Sequence, residues 1–329
     1  MKYLLILLIT SALLIAHGFS QAQNVKFFEN PEFGNPFVSD IRSPMIKMEL
    51  VTLNKLDGNY YLNDFSNRPF IETHLGADIP LVAYHNSDND FSWKLNADIA
   101  SIVLVDMFEK STAPVINNDY FFGFSFSLLK RLKHNQLKNV GLQLVPIFHE
   151  STHLGDEFVM HGQALVPDFK RINISSEAWE FAFVLNDPDT IQSNLLSLKA
   201  GMHGLWFPSD GYYGLDSLEI GGAEVPMSSK QFEYFVQMNY QQTEGVLCSK
   251  RWMQEISVEA RNRVKFAYDY ESQEERLWSV NLYLGYRHLL KNRKSSLGFY
   301  VRYYYGINPH GQMRNTADFQ SIGYSIVYR

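Results

Sequence analysis

The sequence predicts an all-β protein, a transmembrane antiparallel β-barrel of about twelve strands with ten to fourteen compatible, preceded by a cleaved signal peptide. Three observations predict it. The chain opens on a short apolar segment of secretory type. It then runs through a long series of segments whose apolar residues recur at every second position, the period of a strand with one apolar face. Its aromatic content is 15%, with 19 Tyr and 24 Phe, and amphipathic rings suit the boundary between lipid and water.

At the amino terminus Lys2 precedes the apolar run Leu4 to Ile15, and Ser20-Gln21-Ala22 supplies small residues for cleavage. The run is shorter than the ~20 residues a spanning helix needs, so residues 1–22 read as a signal peptide removed near Ala22. No cysteine follows the apolar run, which excludes a lipoprotein anchor. Residues 23–44, with Pro31, Gly34, Asn35 and Pro36, read as an irregular periplasmic lead-in. Residues 45–329 read as the barrel, and no stretch of ~18 apolar residues there suggests a membrane helix.

From Met45 the alternation is regular. Ile46, Met48 and Leu50 alternate with Lys47 and Glu49; Ile71, Thr73, Leu75, Ala77 and Ile79 with Glu72, His74, Gly76 and Asp78; Phe91 to Ile99 with Ser92, Lys94, Asn96 and Asp98. Phe122, Phe124, Phe126 and Leu128 continue it, then Val140, Leu142 and Leu144, Leu196 to Met202, and Tyr234 to Tyr240. Ile256 to Ala260, Trp278 to Tyr286, Phe299 to Tyr305 and Ile322 to Tyr328 complete the series. A soluble sandwich also alternates, but its strands are usually five or six residues long. Segments of ~10 residues with Lys, Glu, Asp and Arg on the polar face match membrane strands around a hydrated lumen. An unforced count of about thirteen segments must be corrected to an even number, and the surplus falls between Gly214 and Tyr270.

Barrels of this kind keep short turns on the periplasmic side and long loops outside. The segments Lys130 to Asn139 and Lys291 to Ser296 are the expected turns; Asp106 to Asp119, His153 to Arg171 and Ile307 to Asp318 are the expected outer loops. The net charge of −6 gives no basic footprint for nucleic acid. Cys248 is alone and cannot form an internal disulfide. No cofactor and no metal is expected. The scattered His74, His85, His134, His203 and His288 read as lumen or turn residues.

The densest chemistry lies in Val145 to Phe158, where His149, Ser151, His153, Asp156 and Glu157 crowd together. His149-Glu150-Ser151-Thr152-His153 spells H-E-x-x-H, which resembles the zincin signature. That chemistry requires a helix, where residues four apart share a face. Pro146 and Gly155 interrupt a helix here, and on a strand the two histidines stand ~13 Å apart at ~3.3 Å per residue. Glu177 and His161 are available as a third ligand but carry no motif.

The second reading takes His149-x-Ser151 as base and nucleophile on one strand face. It resembles the His-x-Ser motif of the outer-membrane phospholipase A and lipid A 3-O-deacylase barrels, whose strand-borne serines cleave acyl esters from the lipid-facing side. Asp156, Glu157 or a polar group on an adjacent strand would orient His149. Parity opposes this: with Val140, Leu142, Leu144 and Phe148 facing lipid, His149, Ser151 and His153 share the lumen face with Gly141 and Gln143. A β-bulge at Pro146 would reverse it. The third and favoured reading is a hydrogen-bonded cluster inside the extracellular mouth that secures loops or binds a small solute or envelope partner, with Gly155 supplying an unusual backbone angle.

The order of strand-borne His149-x-Ser151-x-His153-x-Gly155-Asp156-Glu157, then Tyr305-Gly306-x-Asn308-Pro309-His310-Gly311-Gln312 and a final strand, resembles an uncharacterised family of bacterial outer-membrane barrels, a domain of unknown function. That resemblance implies location and fold only. The expected partners are outer-membrane lipid and lipopolysaccharide, and the expected state is monomeric.

Overall fold

The structure, a computed structural model, describes residues 25–28, 33–34, 36–55, 69–86, 90–107, 113–134, 136–155, 171–188, 194–206, 212–215, 232–242, 251–264, 276–290, 295–311 and 317–329. The expected signal peptide, Asp156, Glu157, His161, Cys248 and the acidic run 271–275 lie outside the described residues. The strands are β1 (Val25–Phe27), β2 (Ile46–Lys55), β3 (Pro69–His85), β4 (Phe91–Val105), β5 (Val115–Arg131), β6 (Asn139–Leu154), β7 (Arg171–Leu185), β8 (Leu195–Leu205), β9 (Tyr212–Leu215), β10 (Phe232–Gln242), β11 (Trp252–Val264), β12 (Arg276–Leu289), β13 (Ser296–Gly306) and β14 (Phe319–Tyr328).

Twelve of these close into one antiparallel barrel, each pairing with its neighbour in sequence order, with β14 returning to β2. The two short strands extend the wall. β1 pairs with the end of β3 beyond the reach of β2, and β9 pairs with the start of β7 beyond the reach of β8. Closure of β14 onto β2 removes the two edges of the twelve-stranded sheet, as a lipid environment favours.

The outer face carries what the alternation predicts. Ile46, Met48 and Leu50 on β2, Tyr234 and Val236 on β10, Phe299, Val301 and Tyr303 on β13, and Ile322, Tyr324 and Ile326 on β14 are all exposed. An exposed apolar belt around the whole wall is an aggregation hazard in water and a fit to hydrocarbon. Connections at the Arg329 end are short, closed by bonds such as Leu132 N to Lys138 O (2.7 Å) and Leu290 N to Ser295 O (2.9 Å). The expected turns at 130–139 and 291–296 lie at this end. The expected outer loops lie at the other, although β5 takes Val115 to Asp119 from the first of them.

Inside, the lumen is occupied. Of the expected lead-in, Val25–Phe27 forms β1, whereas the described residues from 33 to 45 are irregular and lie within the barrel: Phe37, Val38, Ser39 and Ile41 are buried. Val38 and Met45 pack with Tyr283, Tyr300 and Val327 of the wall. Polar bonds fix it, with Asn281 Nδ2 donating to Ser39 O (2.8 Å), Ser39 N donating to Ser257 Oγ (3.2 Å) and Arg42 pairing with Glu233 (3.4 Å) and Glu150 (3.5 Å). Between this segment and the wall there is a cavity of about 80 Å³ whose lining includes Asp40, Asp78, Asp98, Lys199 and His203 beside Val145 and Phe148.

Several buried wall charges pair with one another. Arg302 bonds Glu49 and Glu72, the latter at 3.0 Å, and Glu49 also accepts from Tyr283 and Ser325 at 2.7 Å each. Arg261 pairs with Glu259 at 2.6 Å, and Lys199 with Glu180 at 3.2 Å and Asp40 at 3.5 Å. Isolated buried ions would be prohibitive, so pairing is the condition for having them here.

Candidate functional site

Position on the wall follows from one irregularity in β6. Leu142 and Leu144 face outward with Leu128 and Phe126 of β5 as their partners, as the alternation predicts. Register then shifts. On the β7 side, Val145 pairs with Glu180 and Phe148 with Ala178, so two residues, Pro146 and Ile147, oppose the single residue Trp179. This is a β-bulge, and proline suits it because it has no N–H to give the ladder.

Beyond the bulge the faces exchange. Phe148, Glu150 and Thr152 pair with the inward Gly123, Phe121 and Asp119, while His149, Ser151 and His153 pair with the outward Phe122, Tyr120 and Asn118. The expectation that the three share the lumen face with Gly141 and Gln143 is therefore overturned. Pro146 reverses the parity, as the bulge alternative requires.

Trp206, just past β8, fastens this bulge from both sides. Its indole Nε1 donates to Pro146 O at 2.7 Å, satisfying a carbonyl the bulge takes out of the ladder, and its backbone N donates to Glu177 O at 2.9 Å. Trp179 packs beside it, tilted at 57°, with 6.5 Å between ring centroids. Gly204 makes room for that packing, since a Cβ there would stand 2.8 Å from the Trp179 ring.

With the parity reversed, Glu177 of β7 stands directly opposite His149, and its Oε1 is 3.5 Å from His149 Nδ1. Both are partly exposed, with side chains 42% (His149) and 31% (Glu177) accessible. An acid on Nδ1 fixes the imidazole so that Nε2 is free for a second partner. Ser151 lies two residues further along the same face, flanked by Tyr120 on β5 and Ser175 on β7. His153 packs edge-on against the Tyr120 ring at 6.2 Å, and Asn118 Nδ2 donates to Tyr120 OH at 2.6 Å.

Toward the Arg329 end the same outer face becomes aromatic, with Phe122 against Phe124 (5.5 Å) and Phe181 against Phe183 (5.0 Å). A tilted strand crosses an apolar band of ~25 Å in ~10 residues. Ser151 stands about twelve residues above Asn139, where β6 starts, which places it at the upper edge of that band.

The inner side of this patch is pinned. Glu150, the acid of the H-E-x-x-H string, points inward to Arg42 at 3.5 Å. Gly311 of the β13–β14 loop lies against Thr152, where a Cβ would approach Cγ2 to 2.1 Å, and its N–H bonds Asp119 at 3.3 Å. His310 is buried between Glu72 (3.4 Å) and Asp119 (3.9 Å). Burial opposes its charge, but its bonds to these two carboxylates prevail and raise its pKa to about 9. Gly155 has no unusual backbone angle; it is small because a Cβ would stand 1.6 Å from Val115 O, where its own N–H bonds Ile116 O at 3.1 Å.

No helix holds His149 and His153, so the zincin arrangement is absent: the two lie four residues apart on a strand with Glu150 on the opposite face. Among the described residues the one group of three ligand-type side chains close enough to share an ion is Glu49, Glu72 and His74. Arg302 already bonds both carboxylates, and His74 Nε2 contacts Glu72 at 2.6 Å. A guanidinium fills the place of a cation there.

Sequence reasoning located His149, Ser151 and His153 but did not place Glu177, Tyr120 or Trp206 beside them. The apolar residues of β7 fall on both faces, Ala178 and Ala182 inward and Phe181 and Phe183 outward, so its alternation is blurred. A proline within an otherwise regular strand was the one local signal of the parity change.

The closed antiparallel wall, its even strand number and its apolar outer belt define a class: a transmembrane β-barrel of the bacterial outer-membrane type. Within that class, residues 54–192 match the family described as "Protein of unknown function (DUF1207)". This agrees with the expected uncharacterised family, and the matched region contains β3 to β7 with the whole outward patch. No curated protein matches the chain in sequence.

Among solved structures, outer membrane phospholipase A from Escherichia coli is similar with 8% identity and a TM-score of 0.49, over 88% of this chain and 93% of that one. The Salmonella typhi outer membrane phospholipase dimer with bound calcium gives 10% identity and a TM-score of 0.47, over 87% and 92%. The Pseudomonas putida toluene transporter TodX gives 8% and 0.42, over 87% and 88%.

Proposed function

We propose that the protein is a serine-type acyl hydrolase acting on phospholipid or lipopolysaccharide esters, with Ser151 as nucleophile, His149 as base and Glu177 as the acid that orients it. The observation that carries this is the bulge at Pro146. It turns His149 and Ser151 onto the lipid face and brings Glu177 to His149 Nδ1 at 3.5 Å. A row of polar side chains facing lipid is costly unless it is used. With the short turns on the periplasmic side, the row lies at the outer-leaflet boundary, the depth of acyl esters.

Ser151 Oγ attacks the ester carbonyl while His149 Nε2 takes its proton. The leaving alcohol takes that proton as the C–O bond breaks, and water, deprotonated by the same imidazole, releases the fatty acid from Ser151. Glu177 holds the imidazole in the productive tautomer throughout. Asp156 and Glu157, the other acids suggested by the sequence, have no part in this assignment. A lumen filled by the 33–45 segment weighs against solute conduction. The same reading takes residues 1–22 as a cleaved signal, the barrel as a monomer and the membrane lipid as its partner.

The test is fatty-acid release from mixed phospholipid and lipopolysaccharide vesicles by the refolded protein. Ser151→Ala is expected to lower the rate by roughly 10⁶-fold, the cost of removing a triad nucleophile. Equal release by wild type and Ser151→Ala would end the proposal.

A further inference from the structure

An ester hydrolase also needs a donor for the oxyanion that forms as Oγ attacks, and resting on the hydrolase reading above, the position of Ser151 narrows where that donor can be. A serine on a tight turn at a helix start can offer backbone N–H groups. Ser151 sits mid-strand, paired with Tyr120 on β5 and Ser175 on β7, so its peptide N–H is committed to the ladder. The donor has to be a side chain on the outer face.

Around Ser151 the outer face is divided. The acid and the base lie toward β7 and the aromatic wall. On the opposite side stands Tyr120, directly across from Ser151, where facing Cβ atoms are ~4.5–5.5 Å apart. Its ring is braced by the His153 imidazole at 6.2 Å. Asn118 Nδ2 donates to its phenol oxygen at 2.6 Å, and Ser101 Oγ donates to Asn118 Oδ1 at 3.0 Å. The phenol oxygen is thus supplied with a proton from Asn118, and its own O–H is the group left to donate onward. This polar chain crosses β4 and β5 on the outer face and includes Tyr120, the cross-strand partner of Ser151.

We infer that Tyr120 is the oxyanion donor of this site and that Asn118, held by Ser101, is its positioning residue. As the Oγ–C bond forms, the carbonyl π pair moves to oxygen and the Tyr120 O–H hydrogen-bonds it without giving up its proton. As the intermediate collapses, the C=O re-forms, the alkoxide departs with the proton held by His149, and Tyr120 returns to its starting state.

The experiment uses the refolded full-length barrel in detergent, a 4-nitrophenyl ester to measure kcat and KM, and a fluorophosphonate probe that labels an activated serine. Boiled and unboiled electrophoretic mobility confirms that each variant is folded. Tyr120→Phe removes one exposed hydroxyl and is expected to lower kcat about a hundredfold with KM within twofold, the usual loss of one oxyanion donor, and to slow labelling in parallel. Asn118→Ala, which leaves the phenol in place, is expected to lower kcat about tenfold at unchanged KM and unchanged pH profile. It also serves as the second variant should Tyr120→Phe not refold. If Ser151→Ala abolishes labelling while both variants keep kcat within threefold of wild type, the Tyr120 assignment is overturned and the hydrolase reading stands. If wild type is neither labelled nor active, both are overturned.

Discussion

Two polar clusters can be compared, one inside the wall on β2, β3, β13 and the β13–β14 loop and one outside it on β5, β6 and β7. Inside are Arg302, Glu49, Glu72, His74 and His310, dense in charge and fully buried. Outside are His149, Ser151, Glu177 and Tyr120, with fewer charges and greater exposure. By residue type alone the inner cluster looks more like chemistry. Its partners account for it: each charge answers another, and the segment 33–45 and the loop carrying His310 are held in place. The outer cluster has no such network: it stands on the outer face at the edge of the apolar band, with the His149–Glu177 contact at 3.5 Å as its charge pair. A polar group is informative relative to what its position would otherwise select.

The largest effect separating the two clusters should come from Arg302→Ala. It strands two buried carboxylates and is expected to cost about 3–5 kcal/mol of stability, measured by urea unfolding of the refolded barrel. Comparable stability would mean that the interior network is not what holds the wall to its contents.

On the outer side, Glu177→Gln keeps the shape and removes the charge. It should lower kcat about ten- to a hundredfold, or ~1.4–2.7 kcal/mol of transition-state stabilisation, with no change in unfolding midpoint. A stability loss without a rate loss would assign Glu177 to the fold. Trp206→Phe sits between the regions, since it leaves Pro146 O without its donor. It is expected to cost about 1–2 kcal/mol and to lower hydrolysis at the same time, because the bulge decides which way Ser151 points.

The smallest effect concerns pH. His310 titrates at about 9 when folded, above its unfolded value near 6.5. A raised pKa means that its contribution is fully present below about pH 6.5 and lost as pH rises through about 9. The Glu72 and Asp119 carboxylates and the Arg302 guanidinium beyond Glu72 are the charges around it. Limited proteolysis within 306–319 should quicken between pH 7 and pH 10, and His310→Gln should abolish that step.

Much of the fold was legible because a membrane wall enforces it on every strand. Tyr324 on β14 and Val236 on β10 face lipid because any other register would bury charge in hydrocarbon, and a closed wall of antiparallel hairpins makes the strand count even. β7 was hard to read because Ala178, Ala182 and Val184 on its inner face are as apolar as its outer face. The place of residues 36–45 in the lumen was not legible: Phe37 and Val38 look the same in a tether and in a core.

The candidate site divides along the same line. The sequence by itself determined the row His149, Ser151 and His153, since spacing of two on a strand puts side chains on one face whatever surrounds them. Only the tertiary structure decided which face that is and what stands beside it. Pro146 permits a bulge, but the bulge exists because Trp206, 60 residues away in the chain, supplies the donor its carbonyl needs. Glu177 stands opposite His149, and Tyr120 opposite Ser151, through strand registers that no local pattern encodes. Periodicity is a property of one strand, and a site of this kind is built from three.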